Sequence, residues 1–306
     1  MKQNCIILAR ILLLFLPGCD LSDSGNQNTV PYQSFTLNAA KDTLIVGKQG
    51  TRIFIPGRSF VNKDSVFVSE VELQLEEYYE RSDMLLRGLT TLSGDKVLET
   101  GGMIHISAVS GNQKVFLSGN SYLDIYFKKH DTTRLFLPFQ GALTNDRGEI
   151  TWVVSDSIKL EGTMGFEIIG GYSFVDTLIA TLSPAQSFFR SRIMGWINTD
   201  IFIKYNGNRA IWVKTQINRK IRLSLALEEI NVIIPGKPIG LSFYTFTVPD
   251  SLNYIIFAKE IIGNKIYYDL IPKERIRGDT IEVRLKLGSA QRIKDEIDLW
   301  MNANEK

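Results

Sequence analysis

The sequence predicts a mostly β protein: two antiparallel β-sandwich units followed by a short C-terminal helix. Three observations carry this. Apolar and polar residues alternate with a period of two through much of the chain, turn-forming clusters separate those runs, and only two short stretches repeat at helical spacing. The spacing of the turns suits antiparallel sandwiches, not strand–helix–strand units. A chain of 306 residues is about twice a usual domain length, so two packed units or one large β unit is expected. Hydrophobic content of 44% and charged content of 22% are enough to build a core, which excludes wholesale disorder. Lys plus Arg number 35 against 33 acids, and a net +2 is too small for a nucleic-acid footprint. No nucleic-acid partner is expected.

The first element is a leader. Lys2 supplies a positive start, and Ile11–Leu16 is an apolar run that stops at Pro17-Gly18-Cys19. A run this short cannot span about 30 Å of hydrocarbon, so residues 1–18 read as a secretory signal. The string Leu16-Pro17-Gly18-Cys19 resembles the lipobox of bacterial lipoproteins. That resemblance implies cleavage before Cys19, acylation of its thiol, and attachment to a membrane through the acyl chains. Removing residues 1–18 takes away Lys2, Arg10 and Cys5, so the mature chain is balanced at 33 basic and 33 acidic residues. Cys19, its one remaining cysteine, is the anchor, which leaves the folded part to its core alone. Residues 19–34, rich in Gly, Asn and Ser, form a flexible tether.

Strands follow. Val71, Leu73 and Leu75 alternate with Glu70, Glu72 and Gln74; Leu123, Ile125 and Phe127 alternate with Asp124 and Tyr126. Ile221 to Leu227 and Ile281 to Leu287 show the same pattern, each read as one strand. Turn signals lie at Asn62-Lys63-Asp64, Ser110-Gly111-Asn112, Asn145 to Gly148, Asn206-Gly207-Asn208 and Gly263-Asn264-Lys265. Further strands are read at Ile150–Val154 and Gly165–Ile169. Gly195-Trp196-Ile197-Asn198 opens the second unit, so the division is 35–190 and 191–306. That second unit suits an immunoglobulin- or fibronectin-like sandwich.

Two helices interrupt the strands. Ser82 to Gly88 has a Ser cap, an acid in the first turn and Gly at the stop. Ser289 caps the second, which places Ile293, Ile297, Trp300 and Met301 on one face. The charges outside that stripe are mixed, so the face is expected to pack on the last sheet and not on a membrane.

Residues 44–127 resemble a ZU5-type β domain of the kind found in netrin receptors and ankyrins. The likeness rests on Gly50 to Phe60, with its Pro56-Gly57 turn, on the strand Val66–Leu75, and on Leu89 to Ser93 with Leu98 to Ile104. The segment is closer still to a set of uncharacterised lipoproteins of the Bacteroidetes type. These share strings such as Glu77-Tyr78-Tyr79, Ser82 to Leu85, Leu98 to Met103 and Met194 to Asn198. ZU5 domains imply protein–protein scaffolding and carry no enzymatic residues over.

Chemistry is sparse in the sequence. His105 and His130 are the only histidines, and GxSxG, HExxH, GxGxxG and P-loop strings are missing. Glu76, Glu77, Glu80 and Asp83 cluster near the first helix, and Glu99 lies beside Thr100-Gly101-Gly102. Two carboxylates suffice for a glycosidase, but a solvated acidic turn is the plainer reading. Tyr78, Tyr79, Trp152, Trp196 and Trp212 offer rings for sugar stacking. The candidate binding residues are therefore Glu77, Tyr78, Tyr79, Glu99 and His105; no catalytic residue, metal ligand or cofactor is assigned. The expected function is a structural or protein-interaction role at the outer membrane, with another envelope protein or a surface glycan as partner. Glycan binding within polysaccharide uptake is the alternative, and a glycoside hydrolase or peptidase ranks third.

Overall fold

A computed structural model describes residues 32–128, 134, 136–143, 149–161, 188–216, 221–248 and 251–301. The expected leader at 1–18, Cys19, His130, the turn expected at 145–148 and the strand expected at 165–169 lie outside the described residues. Of the described residues 55% are in strands and 10% in helices, so the chain is mostly β, with multiple antiparallel sheets. No helix among the described residues is long and apolar enough to cross a membrane.

Four sheets form two pairs. The first sheet runs Gln33–Asn38, Glu70–Tyr78, Lys96–Ser110, Gly195–Phe202, Leu137–Leu143 and Ile150–Val154 in spatial order. Facing it, the second runs Ile158–Glu161, Phe188–Ser191, Leu123–Tyr126, Arg52–Ile55 and Thr43–Val46. Leu73, Leu75, Ile104 and Ile106 from the first sheet meet Ile53 and Ile125 from the second in one core. The third sheet runs Ile233–Pro235, Arg222–Leu227, Tyr254–Ile262, Lys265–Pro272 and Lys286–Gly288. The fourth runs Lys237–Ile239, Phe243–Val248, Arg209–Lys214 and Thr280–Glu282. Leu223, Leu225 and Ile256 pack there against Ile211, Val213 and Phe246. Alternation writes each of these cores, because a strand puts every second side chain on one face.

The helices α1 (Arg81–Arg87) and α2 (Ala290–Met301) lie between the two sandwiches. A middle core joins Tyr78, Met103 and Trp152 of the first sheet, Met84 and Leu85 of α1, Phe257 of the third sheet, and Ile293 and Ile297 of α2. Ile293 and Ile297 are fully buried, and each such side chain contributes about 1.5–3 kcal/mol of transfer free energy. Polar ties cross the same layer. Lys294 donates to Asp83 at 2.7 Å, the Arg81 guanidinium donates to the carbonyls of Leu227 and Glu228, and Thr91 exchanges bonds with the Ile233 backbone. α2 starts as expected, with Ser289 Oγ accepting the Arg292 N–H at 3.3 Å, and its apolar face packs inward on the last sheet.

The structure corrects four expectations. Gly195–Phe202 does not open a second unit; it is a central strand of the first sheet, between Lys96–Ser110 and Leu137–Leu143. Phe188–Ser191 likewise pairs within the second sheet. Alternation shows that a segment is a strand, not which sheet it joins. Secondly, Ile281 to Leu287 is two strands, because the chain crosses from the fourth sheet to the third at Val283–Leu285, and of the alternating apolar set Val283 is buried while Leu287 is exposed. Thirdly, the α1 cap lies two residues earlier than expected: Glu80 is the cap residue, and Ser82 is buried inside the first turn. Finally, Gln33 and Ser34, assigned to the tether, already belong to the first strand.

The Thr100-Gly101-Gly102 string is a bulge. Register shifts between Thr199 and Asp200, so Gly101 is an extra residue opposite them. Gly102 sits at φ 143°, and a Cβ there would lie 2.4 Å from the Tyr79 ring. The bulge thereby makes room for a buried tyrosine.

Candidate functional site

Period two divides the expected site residues between faces. Glu77 is in phase with Leu73 and Leu75 and points toward the first sandwich's interior, where it is 1% exposed. Its carboxylate accepts the Gln33 side-chain amide at 2.7 Å, the Gln49 N–H at 2.9 Å and the Thr51 N–H at 2.9 Å. It holds the turn 47–51 in place. Tyr79 is buried as well; its hydroxyl bonds Thr51 Oγ1 at 2.8 Å and accepts the Lys128 N–H at 3.0 Å. Burial pushes the Tyr79 phenol above its usual range, only partly offset by these bonds. Glu99 pairs with Arg134 at 2.8 Å, apart from the others. The acidic stretch is thus not a solvated turn: Glu77 and Asp83 are buried, and their partners lie in different directions.

Tyr78 and His105 do meet, on the outer face of the first sheet, where residues of the opposite phase stand. The pairing of Glu76 with His105, and of His105 with Trp196, sets them side by side. The Glu76 carboxylate lies 3.2 Å from His105 Nδ1 and accepts the Tyr78 hydroxyl, while Arg87 of α1 approaches to 3.8 Å. Trp196 is the floor: the His105 ring centroid is 4.8 Å from it, that of Tyr78 is 5.6 Å away, and the Arg87 guanidinium stands 5.6 Å from it. Burial raises the affinity of Glu76 for a proton. The hydrogen bonds from His105 and Tyr78 and the charge of Arg87 outweigh it and hold the carboxyl below its usual value.

Chemically, this cluster fixes more than it activates. Glu76 orients His105 through Nδ1, the arrangement that readies an imidazole for proton transfer. The hydroxyl beside it is the wrong partner, because burial and the Glu76 charge push the Tyr78 phenol far upward and keep it protonated. Tyr78 therefore supplies no nucleophile.

Sequence reading missed Glu76 as the hub, together with Arg87, because their meeting depends on strand register and on where α1 docks. Two further polar groups lie within the fold. Asp200 is fully buried beside the bulge, and its carboxyl is pushed well up by burial and by Glu99, with Thr100 opposing. Asn198 donates to one of its oxygens, while the other has no hydrogen-bond partner among the described residues. Lys259 lies in the middle layer and donates to the Leu86 carbonyl at the C-terminal end of α1. Among the described residues no cluster of three or more His, Cys, Asp or Glu could hold a metal ion. Comparison with family models, with curated proteins and with solved structures returns no match.

Proposed function

We propose that this chain is a lipid-anchored cell-envelope protein whose body serves a structural or protein-interaction role, without chemistry of its own. One observation carries the reading: the acids and tyrosines that catalysis would need are engaged in holding turns, strands and helices together. Glu77 bonds three donors of its own fold, Asp83 is tied to Lys294, and Glu76 is tied to His105 and Tyr78. Side chains held in this way rigidify a scaffold. The lipobox-like string at Cys19 and the likeness to ZU5 domains support attachment, outer-membrane location and scaffolding. Labelling cells with a palmitate analogue tests the anchoring: the chain takes up label, and Cys19→Ser loses all of it. Equal labelling of the variant contradicts the anchor.

A second reading, glycan binding, has its own observation. Trp212 is 40% exposed on the outer face of the fourth sheet, directly opposite Thr245 and next to Thr280. An open ring flanked by hydroxyls can stack on a sugar face and bond its edge. Under this reading, binding to a soluble polysaccharide weakens about tenfold or more in Trp212→Ala, the effect of losing ~1.4 kcal/mol of stacking. Unchanged retardation in affinity electrophoresis removes it.

A further inference from the structure

The third sheet leaves part of one edge open. Among the described residues Lys286–Gly288 pairs with Ile266–Tyr268 alone, and the chain preceding it crosses away toward the fourth sheet. Beyond Tyr268, the end of the strand Lys265–Pro272 therefore has no neighbouring strand on that side among the described residues. A cleft fills the gap. One part, about 510 Å³, is walled by α2, Leu270 and Pro272; the other, about 260 Å³, extends toward Arg277 and Thr280. Asp269, Arg275 and Arg284 line both parts and so stand where they join. The larger volume lies within the range of small-molecule sites.

The two ends of the cleft differ in chemistry. Leu270, Pro272 and Trp300 make an apolar wall, with Leu299, 75% exposed, at its rim. At the neck stand two guanidinium groups. Arg275 donates one nitrogen to the Leu270 carbonyl at 2.8 Å, which aims the rest of its fork. Among the described residues, the Arg284 guanidinium has no hydrogen-bond or ion-pair partner. Three carboxylates, Asp269, Glu282 and Glu296, line the cleft against Arg275, Arg277, Arg284 and Lys286. Asp269 accepts the Arg284 backbone N–H at 2.8 Å, and Glu296 bonds Tyr268, Lys286 and Arg292. Cations thus outnumber acids in the lining by one, and the two guanidinium groups at the neck carry that excess.

We propose that this cleft binds an amphiphilic anion. Its carboxylate or phosphate head is held by Arg275 and Arg284, and its apolar chain lies along Leu270, Pro272 and Trp300. Guanidinium forks match both head groups in a bidentate manner. An apolar wall beside a cationic neck favours a ligand with both parts over either alone. A free fatty acid and a phospholipid present this same chemistry.

Calorimetric titration of the folded chain tests the site, with dodecanoate below its micelle concentration as probe. Dodecanoate binds at one site, and dodecyltrimethylammonium, of equal length and opposite charge, does not. The exposed double variant Arg275→Gln/Arg284→Gln weakens dodecanoate binding about tenfold or more. Trp300→Ala weakens dodecanoate but leaves the weaker binding of inorganic phosphate unchanged, which separates the wall from the neck. Melting temperatures of all variants are compared first, and Arg275→Lys/Arg284→Lys retains more affinity than the Gln pair. Arginine-dependent sedimentation with phosphatidylglycerol vesicles assigns the head to a membrane lipid; dodecanoate binding without it assigns a free amphiphile. Equal binding of the anionic and cationic amphiphiles, dodecanoate binding unchanged in the Gln pair, or no dodecanoate binding at millimolar concentration overturns the proposal.

Discussion

Glu77→Ala destabilises the protein by about 3–5 kcal/mol, because it empties a buried site and strands the buried Thr51 N–H together with the half-buried Gln49 N–H and Gln33 amide. Each unsatisfied buried donor costs about 1–3 kcal/mol, and the emptied volume adds a cavity. Glu77→Gln does not rescue fully, since its amide nitrogen faces donors and one carboxylate oxygen is gone. Urea titration reads the effect as a lower midpoint with an unchanged slope. A loss under about 1 kcal/mol contradicts the structural role assigned to this carboxylate. A Glu77 with a functional role would instead lose activity while keeping its stability.

The second large effect depends on pH. Lys259 is 6% exposed, and its amine is lowered from 10.5 to about 7, first by burial and then by the nearby charges of Arg222 and Arg87. The folded state holds this proton more weakly than the unfolded chain does. Between pH 7 and about 10.5 the unfolded chain therefore binds more protons, and stability rises with pH across that window. One proton corresponds to a slope of about 1.4 kcal/mol per pH unit. Lys259→Met removes that slope. It exceeds the wild type in stability at pH 6 and loses the advantage progressively toward pH 10, less the cost of leaving the Leu86 carbonyl without its donor. Parallel profiles for the two proteins contradict an amine buried in its neutral form.

Much of this was written in the phase of the strands. Leu73 and Leu75, Ile104 and Ile106, and Ile211 and Val213 mark core faces by alternation alone. Gly263-Asn264 gives the tight hairpin between Tyr254–Ile262 and Lys265–Pro272, with Gly263 at φ 60°. Ser289 gives the start of α2. The same rule places Glu77 inside, in phase with Leu75, and Lys259 inside, in phase with Phe257. A charge on a buried phase is a signal for a bonded polar core group, and reading Glu77 by residue type alone passes over it. Other features have no local signature. Gly195–Phe202 finds both its neighbours more than 50 residues earlier in the sequence, with Leu137–Leu143 on one side and Lys96–Ser110 on the other. The Glu76–His105 contact needs register, and the cleft between Arg275 and Arg284 exists only because the chain changes sheets at Val283–Leu285. Partners set by long-range pairing are invisible to a window of a few residues.

In the middle layer α1 and α2 join the two sandwiches through one shared core, which predicts that they unfold together. Phe257 and Ile297 reach that core from the second half, and Tyr78 and Met84 reach it from the first. Differential scanning calorimetry of residues 20–306 measures this directly. A shared core melts as one transition whose calorimetric and van't Hoff enthalpies agree, and Ile297→Ala moves the whole transition downward. Two resolved transitions, with Ile297→Ala shifting only one of them, would show two independent sandwiches and contradict the account.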